Sequence, residues 1–287
     1  MDWAGKVSEA IGYIEEHLLE ELTIDEIAGK VFISPFYFQK GFVMLCGLTV
    51  GEYIRARRLS LAGSELAAGT GERVIDLAFK YGYDSPDSFT KAFTRFHGVT
   101  PAQIKKGGAM ARMFLPLRIK LTLEGGTMMD YKITQKESFT VTGAARTFRY
   151  EDAFEQIPKF WDEVMSSELG MSVGMYGVCV EGTSGPGSFE YLIADDYKPW
   201  KETPEGLVHR SIPKHTWAVF PCKGPMPGAL QDVNRRIFSE WLPASKEYEV
   251  ADGFNIEMYS DPGEFKLGTE DPNYYSEIWI PVRKIQG

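Results

Sequence analysis

Apolar positions recur at helical spacing through the first hundred or so residues, and they recur as a repeat. Val7, Ile11, Ile14 and Leu18 make one stripe. A second helix is predicted from Leu22-Thr23-Ile24-Asp25-Glu26, where Thr23 and Glu26 have capping-box spacing and Ile24, Ile27, Ala28 and Val31 share a face. Ser34-Pro35 then offers an N-cap and a proline at the first helical position, opening a helix through Phe38, Phe42 and Leu45. About fifty residues later the order returns. Val74, Leu77, Ala78 and Lys80 answer Ile24, Ile27, Ala28 and Lys30. After one extra turn residue, Ser85, Pro86, Phe89, Lys91 and Phe93 answer Ser34, Pro35, Phe38, Lys40 and Phe42. Each copy is a short helix, a tight turn and a second helix, the plan of a helix-turn-helix whose second helix enters the major groove. The stretch from Gly51 to Leu66 predicts a connecting helix that holds two readers one DNA turn apart.

The pattern changes after Lys105-Lys106-Gly107-Gly108-Ala109 and again after Gly125-Gly126-Thr127. Between these breaks Leu115 to Leu123 alternates as a strand does, which predicts an ordered connection or edge strand. The predicted division is 1–108, a connecting segment 109–127, and 128–287. In the last part strand-helix-strand-strand occurs twice. The first set is Phe139–Arg149, a helix over Phe154–Leu169, Tyr176–Val180 and Phe189–Ile193. The second is Thr216–Phe220, a helix over Leu230–Leu242, Phe254–Tyr259 and Tyr275–Val282. Glu190-Tyr191-Leu192-Ile193-Ala194 is echoed by Glu277-Ile278-Trp279-Ile280-Pro281. The expected fold is therefore multi-domain: all-α with two helix-turn-helix units and a linker helix, then α+β with pseudo-two-fold halves and a ligand crevice at their junction.

Length and composition agree with two packed domains: 287 residues, 44% hydrophobic. The net charge of -9 is unevenly spread, with nine Lys/Arg against five Asp/Glu in residues 55–108 and one against eight in residues 1–26. That basic segment suits a face docking on phosphate. The opening residues Met1 to Lys6 lack a signal-peptide pattern, and no run of about 18 apolar residues occurs, so a cytoplasmic protein without membrane partners is expected. Three scattered cysteines (Cys46, Cys179, Cys222) and four histidines have no metal-ligand spacing, and no cofactor is expected.

Tyr53-Ile54-Arg55-Ala56-Arg57-Arg58-Leu59, Ile75-Asp76-Leu77-Ala78-Phe79, Tyr81-Gly82-Tyr83, Ser88-Phe89-Thr90-Lys91-Ala92-Phe93 and Gly98-Val99-Thr100-Pro101 together resemble the DNA-binding domain of the AraC/XylS family. The resemblance implies a transcriptional regulator with double-stranded promoter DNA and RNA polymerase as partners. By position it implies DNA contacts from Pro35, Phe36, Gln39 and Lys40 in the first reading helix. In the second it implies Ser85, Pro86, Asp87, Ser88, Thr90 and Lys91. Val43 and Asp87 depart from the residues usual at their places.

Tyr131-Lys132-Ile133, Trp217-Ala218-Val219-Phe220 and Glu277-Ile278-Trp279-Ile280-Pro281-Val282 resemble the GyrI-like small-molecule-binding domain, and the pairing resembles regulators of the Rob type in drug and stress responses. A small lipophilic or cationic effector is the implied ligand, held by aromatics around an acid on the final strand. Strand parity places Tyr275, Glu277 and Trp279 on one face and Ile278, Ile280 and Val282 on the other. Glu277, Tyr275 and Trp279 are thus the expected effector residues, with Glu190 and Tyr191 from the matching place in the first half. Two other readings stand beside this one. Glu277 with Tyr191 or Tyr275 could serve a GyrI-like hydrolase, although no Ser-His-Asp order or phosphate loop marks an enzyme, and a non-enzyme is expected. An architectural DNA-binding protein without a ligand is the third.

Overall fold

In the computed structural model, described for residues 3–69, 71–119, 128–251 and 253–285, the chain divides into two compact units. One holds residues 3–32 and 46–119. The other holds residues 33–45 together with the chain from 128 onward.

The first unit contains α1 (Trp3–Glu16), α2 (Ile24–Lys30), α4 (Val50–Ala68), α5 (Val74–Lys80), α6 (Pro86–His97) and α7 (Pro101–Lys105). α3 (Pro35–Cys46) lies between α2 and α4 in the chain. The helix starts follow the capping residues. Thr23 Oγ1 accepts from the Glu26 amide at 3.2 Å, while the Glu26 carboxylate accepts from the Tyr13 hydroxyl at 2.6 Å. Thr49 with Glu52 and Thr100 with Gln103 form full capping boxes, and Ser85 caps α6 with Pro86 behind it. Leu59, Ala62, Leu66, Leu77, Ala78, Tyr81, Phe89, Phe93 and Ile104 make one buried core that ties α4, α5, α6 and α7 together.

Much of the basic segment is engaged within this unit. The Arg57 guanidinium donates to both Glu15 carboxylate oxygens at 2.7–3.0 Å and to the Phe114 carbonyl. Arg58 donates to the Leu18 and Glu20 carbonyls, and Lys80 to Glu65. The predicted strand at 115–123 is not formed in its described part, residues 115–119. The segment lies along α4 instead: the Phe114 amide donates to Ser60 Oγ and the Leu117 amide to the Tyr53 hydroxyl, so its backbone groups pair with side chains rather than with a sheet edge. The rest of the predicted strand lies outside the described residues.

The second unit is built on an antiparallel sheet. Its strands are β1 (Lys132–Lys136), β2 (Phe139–Arg149), β3 (Tyr176–Val180), β4 (Ser188–Asp196), β5 (Val208–Ile212), β6 (His215–Lys223), β7 (Tyr248–Val250), β8 (Phe254–Tyr259) and β9 (Tyr275–Lys284). The order is β1-β6-β9-β8-β3-β4-β2-β5, with β7 also on β9. α8 (Ala153–Met165) and α9 (Gly228–Arg236), the latter continued by a π-helical turn over Ile237–Trp241, are the crossover helices of the two halves. The register expresses the pseudo-two-fold directly. Val178 pairs with Ile256 at the centre, Leu192 pairs with Val178, and Trp279 pairs with Ile256. Counting back two residues along β4 and β9 puts Glu190 and Glu277 at equivalent places.

Alternation gives the sheet two unlike faces. One carries Val141, Tyr176, Val178, Leu192, Trp217, Val219 and Ile256 as a buried cluster. On that face the Lys136 ammonium of β1 sits 4.1 Å from the ring centroid of Phe139 in β2 and 4.4 Å from that of Trp279. β1 and β2 are far apart in the strand order but adjacent in the chain, so the sheet curls enough to bring the end of β1 to the start of β2, and burial there pushes the Lys136 pKa down. The other face lies under the helices: Phe148 packs on Phe160 of α8, Tyr259 on Trp161, and Phe220 on Trp241.

Candidate functional site

On α6 the positions expected to read DNA lie on the outer side. Phe89, Phe93 and His97 are buried on its inner side, while Asp87, Ser88 and Lys91 are exposed and Ser85, Pro86 and Thr90 half-exposed. His97 fixes the helix end: its Nδ1 accepts from the Arg112 amide at 3.0 Å, so Nε2 carries the proton and donates to the Leu59 carbonyl at 3.0 Å.

α3 behaves differently. The sequence places Gln39 and Lys40 on a solvated helix face; the structure buries them, at 2% and 7% exposure, with Phe36 buried beside them and Pro35 half-exposed. The cause is the face of the sheet that α8 and α9 leave open between them, which α3 occupies. The Phe36 ring meets Phe189 edge-on at 5.3 Å, and its amide donates to the Glu181 carboxylate. The Tyr37 hydroxyl donates to the Phe254 carbonyl and Gln39 Nε2 to the Tyr150 carbonyl at 3.2 Å. Lys40 Nζ donates to Asn255 Oδ1 at 2.7 Å and to Glu257 Oε1 at 3.4 Å, and lies 5.6 Å from the Phe36 ring centroid.

Around this helix is a cavity of about 610 Å³. Phe36, Lys40 and Met44 line one side, Phe154, Ile157 and Pro158 of α8 another, and Leu230 and Asn234 of α9 a third. Its floor is Cys179, Phe189, Tyr191 and Glu257 from the central strands. Tyr191 accepts from Trp161 Nε1 at 2.9 Å, and the Tyr259 hydroxyl donates to Glu257 Oε2 at 2.9 Å. Burial pushes the Tyr191, Tyr259 and Cys179 pKa values far upward, so all three remain neutral. Gly177 makes room for this arrangement, because a Cβ there would stand 2.3 Å from the Tyr191 hydroxyl oxygen. The cavity is thus largely aromatic and apolar, with the Glu257 carboxylate at its base and Asp232, ion-paired with Arg235, also in its lining.

The five effector residues named from sequence do not form a single site. Tyr191 is in the cavity floor, but Glu190, its neighbour in β4, points to the opposite face by strand alternation, where Arg210 grips it with two bonds of 2.7 Å. Tyr275, Glu277 and Trp279 also lie on that opposite face. Glu277 is buried and accepts from the Tyr275 hydroxyl and Trp279 Nε1, each at 2.6 Å, and from Lys132 Nζ at 3.3 Å. Sequence reasoning missed Glu257, Asn255, Tyr259 and Trp161. Asn255, Glu257 and Tyr259 alternate along β8, a pattern that resembles a solvated strand face until the strand order makes β8 central. Among the described residues no cluster of His, Cys, Asp and Glu is arranged to hold a metal ion, and no helix is long and apolar enough to cross a membrane.

Residues 132–282 match the family described as integron-associated effector binding protein, Cass2, and residues 18–107 match a helix-turn-helix domain. The right origin-binding protein of Escherichia coli K12 and the transcriptional regulator Rob of Salmonella typhimurium are each 25% identical over 296 residues, covering 99% of this chain and 100% of theirs. Among solved structures, SAV2435 bound to tetraphenylphosphonium is 22% identical with a TM-score of 0.45, covering 54% of this chain and 94% of that one. The chain belongs to the Cass2 family of effector-binding proteins, carries an AraC-type helix-turn-helix domain ahead of the family's domain, and is a Rob-like DNA-binding transcriptional regulator.

Proposed function

We propose that the regulator reads double-stranded promoter DNA with α6 and α3, engages RNA polymerase there, and answers to a lipophilic cation that enters the cavity above Glu257. The contact set proposed for DNA is Pro35, Phe36, Gln39 and Lys40 with Ser85, Pro86, Asp87, Ser88, Thr90 and Lys91. The observation that carries the effector reading is the Glu257 carboxylate at the base of a largely aromatic, apolar cavity, already paired with an ammonium from the chain itself. Such a site attracts a cation through charge and through ring faces, and offers a neutral ligand only the apolar part. The high pKa values of Tyr191 and Tyr259 favour binding over acid–base chemistry near neutral pH, so no turnover is proposed. The domain division at 108 and 128 and a cytoplasmic location belong to the same reading.

Glu277 with Tyr275 and Trp279 is a second candidate for the counter-charge, because Lys132, its cationic partner, is 63% exposed on its side chain and can be displaced. Calorimetry separates the two. Tetraphenylphosphonium, the cation named with SAV2435, and neutral triphenylphosphine oxide are titrated into wild type, Glu257→Gln and Glu277→Gln. Glu257→Gln is expected to weaken the cation more than tenfold, about 1.4 kcal/mol, and leave the neutral compound nearly unchanged. Loss confined to Glu277→Gln would move the site to the other sheet face.

A further inference from the structure

We propose that α3 is the cavity's internal ligand: Lys40 occupies the cation place, and a cationic effector acts by taking that place and freeing α3 for DNA. The inference rests on the effector reading above and adds its mechanism. Lys40 has what a bound cation would need. Its ammonium is buried, bonded to Asn255 Oδ1 at 2.7 Å, within 3.4 Å of Glu257, and beside an aromatic ring. Asn255 is in turn held by its own amide, which donates to the Trp279 carbonyl at 3.3 Å. The amide oxygen is thereby aimed at the ammonium.

Two ammonium-like groups cannot share one carboxylate and one amide oxygen in this space. The effector and Lys40 therefore exclude each other, and each must bind with different affinity to the seated and released states of α3. The exclusion reaches DNA because the same side chains are involved. With α3 seated, Gln39 and Lys40 face the sheet, and neither reaches a base edge or a phosphate. The backbone passes through left-handed positions at both ends of the helix. Phe32 holds the left-handed conformation at φ 54° just before it, and Gly47 does so at φ 68° just after it. The affinity measured for an effector is then lower than the site's own affinity by the fraction of molecules in which α3 is released.

The test uses the full chain and rhodamine 6G as a fluorescent lipophilic cation. Acetylation of Lys40 by an amine-reactive reagent is followed by mass spectrometry, with exposed Lys91 as the internal control. Dye binding is read by anisotropy in wild type and Lys40→Met. The expected result is that saturating dye raises the Lys40 rate at least fivefold and leaves Lys91 unchanged, and that Lys40→Met binds the dye at least tenfold tighter. If the dye binds but Lys40 stays protected and the variant keeps wild-type affinity, the internal-ligand mechanism is overturned while the sensor reading survives. If the dye binds to neither folded protein, both fall. The wild-type labelling measurement stands by itself should Lys40→Met fold poorly.

Discussion

α3 and α6 open on the same Ser-Pro signal and occupy equivalent places in the repeat, yet one turns its expected reading side inward and the other outward. In α6 a single stripe of Phe89, Phe93 and His97 is buried and the remainder meets solvent. In α3 Phe36, Tyr37, Phe38 and Phe42 lie on more than one side, and Gln39 and Lys40 are buried among them. A helix that is apolar nearly all round needs packing nearly all round. The lesson is that duplicated motifs with the same start signal diverge through the width of their apolar surface. The narrow stripe of α6 leaves its expected reading side in solvent. The wide surface of α3 lets the cavity claim the side expected to read DNA.

The largest expected effect breaks the comparison from the α6 side. Gly63 of α4 abuts His97, and a Cβ there would lie 2.5 Å from His97 Cε1 and 2.8 Å from Nε2. Gly63→Ala is expected to destabilise the chain by about 2 kcal/mol through overpacking, measured by urea unfolding followed by circular dichroism. Its affinity for tetraphenylphosphonium should not change, and a parallel loss there would mean that α6 and the cavity are not separable. Acid should act on the same ring more gently. Burial holds the His97 pKa below the ordinary imidazole value, so the unfolded chain takes up the proton first. Stability is then retained above about pH 6.5 and lost as pH falls from there toward the folded value, as the Nδ1 acceptor for Arg112 is protonated.

The next effect sharpens the comparison from the α3 side. Asn255→Ala combined with Glu257→Gln removes both partners of Lys40 and leaves a buried ammonium without compensation. DNA affinity in a gel-shift titration is expected to rise about tenfold, or about 1.4 kcal/mol, as α3 is expelled. Unchanged affinity would mean that burial of α3 does not limit reading.

How much of this was legible depended on whether a property was local. The capped helices, the repeat, β8 and the parity of β9 all follow from residues within a few positions of one another, and the structure has them where the pattern placed them. The equivalence of Glu190 and Glu277 was also readable, as an echo of two strands. The segment 115–119 failed because alternation reports two unlike sides and not a sheet: its amides meet Tyr53 and Ser60 side chains instead of a neighbouring strand. The short strands β1, β5 and β7 carry too few apolar positions to stand out. Glu257 was hidden because only the strand order, a long-range property, makes β8 central. For α3 a signal existed in the density of aromatics from Phe36 to Phe42, but it indicates burial without naming the partner.

The smallest predicted effect concerns the turn before each reader. At the position where the second copy has Gly82 at φ 75°, the first has Phe32 at φ 54°, an exposed side chain in a conformation that costs residues with a Cβ. Phe32→Gly is expected to raise stability by about 0.5–1 kcal/mol in thermal unfolding, since strain is relieved and little packing is lost. A clear loss of stability would show that the turn is not strained.

The central claim, that one reader is free and the other held until a cation arrives, is tested most directly by hydroxyl-radical footprinting on a duplex selected for binding, with and without saturating rhodamine 6G. The account predicts that the unliganded chain protects one major-groove segment, through α6. It further predicts that the dye adds a second about one helical turn away, as two readers on one face of the duplex require. Lys91→Ala should weaken the first segment in both conditions. Two protected grooves of equal strength in the unliganded chain, unchanged by the dye, would contradict it.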